Sequence, residues 1–307
     1  TTAHELFWAG TSLASYTAGP MVALIGRNEG GLTLTQDAID AVLDSLHSYF
    51  DLVSDDALTV QRIKASVSKV IAVALPVIDI VISDKNKLAV LEHKHAIDDL
   101  VAGLLVDDPL GRRTQEGADK LQETCALALQ NLALSEIGKG PLRSHDGVMA
   151  ALRKVAAGHG GDGGMSEKAR QYASGALFEL DESVRNKVKA RAAASHSSSH
   201  QDGSGDSVVE HVMLSYNWDH QDTIKRINTA LKARDYAVWI DVEKMQGSTV
   251  EAMSAAVEDC AVMCYGISQA YKESTNCRME AQYAFQQQKD MVPLMMVEGY
   301  SANGWLG

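Results

Sequence analysis

The chain has 307 residues, 46% of them hydrophobic, and a formal net charge of −12. That length suits about two domains, each with a sizeable core. The negative balance excludes a general nucleic-acid or acidic-membrane binder, since both need basic patches, and no stretch reaches the roughly 18 apolar residues that span a bilayer.

The opening TTAHELFWAG has neither a basic start nor a long apolar run, so no secretory leader is expected. Residues 1–194 read as a helical domain. VIAVALPVIDIVI is too short to cross a bilayer and contains Pro76 and Asp79; it predicts a buried helix. His93 and His95 are too close to share one helical face and have no carboxylate or thiol at ligand spacing, so no metal site is expected. Leu121, Cys125, Ala128, Leu129 and Leu132 recur at spacings of three and four, as do Ala169, Tyr172, Ala173, Ala176, Leu177 and Leu180. Each set marks one buried helical face. Breakers are expected at Gly30-Gly31, Ser83-Asp84, Asp107-Asp108-Pro109, Gly138-Lys139-Gly140-Pro141 and 158–164.

CALALQNLALSE and YASGALFELDES share an order of small and apolar positions. They resemble armadillo or HEAT repeats, which recur every ~40–47 residues and stack into a solenoid. Before residue 110 the helices show no clear period, and a plain helical bundle stays open. The run from Gly158 to Gly163 fits GxGxxG by letter but follows a helix rather than a strand, so it reads as a loop and not a phosphate cradle. The basic cluster Lys187-Val188-Lys189-Ala190-Arg191 reads as the solvated end of a helix. Residues 195–206, SHSSSHQDGSGD, are rich in Ser and Gly and predict a flexible linker, with a second domain over 207–307. The four cysteines, Cys125, Cys260, Cys264 and Cys277, form no CxxC pair. Buried free thiols suit a reducing cytoplasm.

In the second domain, strand-length apolar runs alternate with helical stretches, which predicts a parallel sheet covered by helices. Strands are expected at His211–Tyr216, Tyr236–Ile240, Ala261–Ile267 and Met291–Val297. Helices are expected after Asp219, which is placed to cap the first of them, over Val250–Asp259, and over Asn276–Gln288. Ligands of such sheets bind beyond the carboxyl ends of the strands. Ser215, Tyr216, Trp218 and Asp241 stand at such ends.

The phrases SYNWD, WIDVEKMQG and NCRMEAQYA closely resemble a TIR domain, a flavodoxin-like α/β fold. Ser268, Ser274, Cys277 and Glu280 match SxxxxxSxxCxxE, with Glu280 where the NAD-cleaving members carry their glutamate. Read without the resemblance, Glu280 is an exposed carboxylate complementing a helix dipole. IDVEKM is also similar to the animal axon-degeneration NADases, which join an armadillo-type domain to a TIR domain; no SAM-type segment lies between the two here. The resemblance implies an NAD+ hydrolase (NAD+ nucleosidase) that releases nicotinamide and leaves ADP-ribose or its cyclic form. NAD is then the substrate and no cofactor is needed. Glu280 would be catalytic, and Ser215, Tyr216, Trp218, Asp241 and Cys277 would bind substrate. Met245, Gln246 and Gly247 would form the loop through which TIR domains self-associate. The helical domain would take a nucleotide ligand or a protein partner and restrain or assemble the enzyme, in innate-immune or cell-death signalling. The alternative is a non-enzymatic adaptor that recruits other TIR proteins. The family also implies a further strand and helix beyond Gly307.

Overall fold

The computed structural model describes residues 34–50, 67–106, 112–158, 166–188, 190, 210–240 and 249–307. Two compact units emerge, Thr1–Leu180 and Asp181–Gly307.

The first unit is helical: α1 (Gln36–Phe50), α2 (Val67–Ile82), α3 (Asp84–Glu92), α4 (Ala96–Leu105), α5 (Ala118–Ala133), α6 (Glu136–Ser144), α7 (Val148–Ala157) and α8 (Glu167–Leu180). Helix α5 is the hub. It packs against α2, α4 and α8, and Leu121, Cys125, Leu129 and Leu132 are fully buried. A helix buried on several sides loses its polar face. Gln122 therefore sits in the interior and donates to the Leu104 carbonyl (2.9 Å). Helix α2 is the predicted buried helix, with Pro76 inside it and Asp79 buried.

A repeat runs through this unit. Helices α2, α3 and α4 are 16, 9 and 10 residues long, and α5, α6 and α7 are 16, 9 and 10 again. Ser83 precedes α3 as Ser135 precedes α6, and His93 follows α3 as His145 follows α6. Both histidines accept a backbone N–H from two residues on at Nδ1, from His95 (3.4 Å) and Gly147 (3.2 Å). Both place Nε2 against a carboxylate of another helix, Asp44 (3.2 Å) and Asp98 (3.0 Å). An accepting Nδ1 fixes the proton on Nε2, which then donates to the aspartate. YASGALFELDES ends in the same way: the Asp181 side chain accepts from Ser183 N (3.0 Å), as Ser135 Oγ accepts from Gly138 N (3.3 Å). The period thus extends before residue 110. It went unseen there because matching helix lengths and polar contacts between helices carry it, not apolar letters.

One further expectation needs correction. Gly138-Lys139-Gly140-Pro141 lies inside α6 and does not break the chain. Gly138 is needed because a Cβ there would meet the Leu132 carbonyl oxygen at 2.1 Å. The His95 ring stacks on His47 (3.6 Å between centroids), and His47 Nδ1 bonds Asp99 (3.0 and 3.2 Å).

The second unit holds β1 (His211–Ser215), α9 (Gln221–Lys232), β2 (Val238–Ile240), α10 (Thr249–Asp259), β3 (Cys260–Ile267), α11 (Gln269–Glu273), α12 (Thr275–Gln286) and β4 (Asp290–Met295). The strands form one parallel sheet in the order β2-β1-β3-β4. Strand β1 alternates strictly. Val212, Leu214 and Tyr216 enter a cluster with Ile224, Val238 and Ile240, while Met213 and Ser215 point to the other face. Strand β4 is an edge, exposed along most of its length, and carries Pro293, which only an edge strand tolerates. The second strand is shorter than expected, with Tyr236 outside it and 54% exposed. All four cysteines are free; three are buried and Cys264 is half-buried. Among the described residues no helix is long and apolar enough to cross a membrane.

Asp99 gives the helical unit a pH dependence. It is 3% exposed on α4, and burial, only partly offset by the His47 hydrogen bond, pushes its carboxyl up to about 6 from 3.8. A folded-state value above the unfolded one means that the native state holds the proton more tightly. The resulting stability is complete below the unfolded value and lost as pH rises through the folded one. Relative to Asp99→Asn, the wild type should therefore lose thermal stability between about pH 4 and about pH 7. Melting curves of both proteins across that range check this; a difference in Tm that stays constant with pH refutes it.

Candidate active site

The strand order reverses between β1 and β3, so the carboxyl ends of these two strands border the crevice where open α/β sheets bind ligands. In register, Ser215 pairs with Tyr265. Both point to the face covered by α11 and α12. Ser215 is 2% exposed. Its Oγ donates to Glu280 Oε2 (2.6 Å) and lies 2.7 Å from the Tyr271 hydroxyl. Glu280 reaches it from the second turn of α12. A carboxylate and a strand-end serine 65 positions apart are thereby joined at the switch point.

Two serine caps arrange this. Ser268 ends β3 and caps α11, its side chain accepting from Tyr271 N (3.1 Å). Ser274 closes α11 and caps α12, accepting from Cys277 N (3.3 Å). Each cap satisfies an amide with no partner inside its helix. Their spacing sets two successive helix starts, and these aim Tyr271 and Glu280 at the same serine. Cys277 is buried, and its charge when ionised is one of the influences on Tyr271. The phenol of Tyr271 is held well above its ordinary value, first by burial, then by Cys277 and Glu280.

The remaining wall comes from the end of the chain. Trp305 Nε1 donates to the Lys272 carbonyl (3.0 Å), and Lys272 also bonds the Asn303 side chain. The Trp305 ring lies 6.2 Å from that of Tyr271, and the Arg278 guanidinium stands 5.5 Å over it.

The sequence-derived residues fall into three groups. Ser215, Glu280 and Cys277 come together around Tyr271. Tyr216 does not face a ligand: it is 7% exposed, and its Cβ backs onto Gly266, where any side chain would crowd Met296. Trp218 is 61% exposed, in a 3-10 turn (Trp218–His220) just past β1. Asp241, Met245, Gln246 and Gly247 lie outside the described residues. Asp219 does not cap the following helix. Asn217 caps the 3-10 turn instead, accepting from Asp219 N (3.0 Å) and donating to the Ala270 carbonyl (3.1 Å). A side chain two residues back reaches that amide without competing for the helix start. Sequence reading missed α11 and Tyr271; the cap serine Ser268 three residues before Tyr271 was the available signal.

Residues 212–303 match the TIR domain family. No curated protein and no solved structure matches the chain.

The cap at Ser274 predicts a measurable cost. Ser274→Ala should lower stability by ~1 kcal/mol and loosen the first turn of α12. Urea denaturation measures the first effect, and amide exchange at Cys277 the second; an unchanged Cys277 amide would mean that the cap does not hold the turn.

Proposed function

Given a TIR domain at residues 212–303, we propose that this protein is an NAD+ nucleosidase that breaks the bond between nicotinamide and ribose. The observation that carries the reading is Glu280 held by Ser215 at the switch point of the sheet. Nicotinamide is cationic in NAD and leaves neutral, so no general acid is required. The ribose left behind is oxocarbenium-like, and a fixed carboxylate beside it stabilises the charge as it develops. Water then gives ADP-ribose, while attack from within the molecule gives a cyclic product. Exposed Trp218, at the end of the same strand, offers a ring face on which a base or nicotinamide can stack. Asp241 is assigned to substrate by resemblance.

Self-association through Met245, Gln246 and Gly247, restraint or assembly by an armadillo/HEAT-like helical domain that takes a nucleotide or protein, and cytoplasmic innate-immune or cell-death signalling complete the proposal. The repeated three-helix unit supports a solenoid over a plain bundle. A second reading, a non-enzymatic adaptor, is favoured by one feature. Phe285 (76% exposed), Met295 (59%), Val292 (43%) and Val297 (42%) leave apolar surface on α12 and along the β4 edge. Apolar surface of this kind suits contact with another protein.

Nicotinamide release from NAD by the purified chain separates the two readings. Glu280→Gln keeps an oxygen to accept from Ser215 but removes the charge, so it should lose ~10²–10³ in rate with an unchanged melting temperature. Turnover at the wild-type rate would remove Glu280 from the chemistry. Self-association should appear as a specific activity that rises with protein concentration, since tethered weak contacts gain from proximity. A flat curve across a dilution series excludes it.

A further inference from the structure

Ser215 Oγ carries one proton and meets two partners, Glu280 Oε2 at 2.6 Å and the Tyr271 hydroxyl at 2.7 Å. An ionised carboxylate only accepts. The serine proton therefore goes to Glu280, and the second bond must run from Tyr271 to Ser215. Burial keeps the phenol protonated and thus a donor. The ring itself is clamped: Tyr271 is fully buried, with Tyr265 and Trp305 each 6.2 Å away and tilted against it. The chain Tyr271–Ser215–Glu280 is then directional, with both hydroxyl protons pointing towards the carboxylate. Hydrogen bonds in such a series polarise one another, and a serine rotor that already accepts is no longer free to turn away.

We propose that Tyr271 is a positioning residue of this site, fixing the Ser215 hydroxyl so that it holds the Glu280 carboxylate in one orientation at the end of β1. This deepens the nucleosidase reading and rests on it. The tyrosine touches no substrate; it acts through Ser215. In the proposed reaction Glu280 works on charge that develops as the glycosidic bond breaks. Loss of its orientation should thus lower kcat and leave KM nearly unchanged.

The test is a double-mutant cycle in the full chain with a spectroscopic arm. Tyr271→Phe keeps the clamped ring and removes only the hydroxyl. It should lower kcat about tenfold, the worth of one buried hydrogen bond, with KM within about twofold. Ser215→Ala should lose at least as much, and the double variant no more than Ser215→Ala alone. Effects that multiply would mean that Tyr271 acts independently of Ser215, and a Tyr271→Phe enzyme with wild-type kcat would overturn the proposal. In protein labelled at tyrosine Cζ, the Tyr271 resonance should shift in Ser215→Ala and in Glu280→Gln, and the Glu280→Gln shift should shrink once Ser215 is alanine, because the carboxylate then acts on the phenol only through space. A wild type that releases no nicotinamide defeats the nucleosidase reading, and this resonance then decides the relay alone: a Glu280→Gln shift that shrinks in the Ser215→Ala background upholds the chain of bonds, and one of equal size in both backgrounds removes it.

Discussion

The parallel pairing of β1 with β3 is the constraint on which the site depends. It sets Ser215 beside Tyr265 and makes this the point where connections leave the sheet to opposite sides. Strand β2 lies outside β1, and β4 outside β3. Alternation along β1 then divides the work. Leu214 and Tyr216 fill one core, and the next residue between them, Ser215, can only face the other layer. A slip of one residue would exchange Ser215 for Tyr216 and leave Glu280 without its donor.

The layer above is positioned by capping as well as by apolar packing. Helix α11 has only five residues and could not persist by propensity. Ser268 starts it, Ser274 stops it and starts α12, and Trp305 and Asn303 strap it from outside. Four of the seven polar groups that frame the candidate site are therefore structural. In the proposed reaction the chemistry falls to Glu280, with Ser215 and Tyr271 behind it. The helical unit follows the same logic. Its repeat is marked by Ser83 and Ser135 at matching helix starts and by His93 and His145 with their aspartates, beside the apolar faces that fill its core.

Much of this was legible in the chain. The length and apolarity of His211–Tyr216 give β1. The 3–4 spacing at Leu121–Leu132 gives α5. SxxxxxSxxCxxE gives the start of α12 and places Glu280 upon it. What was not legible shares one cause: it depends on partners distant in sequence. His93 finds Asp44 49 residues away, and Ser215 finds Glu280 65 residues away. Tyr216 and Ser215 look alike as polar strand-end residues, yet one is core and the other holds the carboxylate.

The sequence by itself determined the fold class, because periodicity and breaker residues act over a few positions, and only its resemblance to a TIR domain singled out Glu280 as the candidate carboxylate. Only the tertiary structure decided what that carboxylate touches. The hydrogen bonds from Tyr271 to Ser215 and from Ser215 to Glu280 exist because a parallel sheet and two capped helices bring Ser215 to 2.7 and 2.6 Å from residues 56 and 65 positions away, and no local pattern encodes such a meeting.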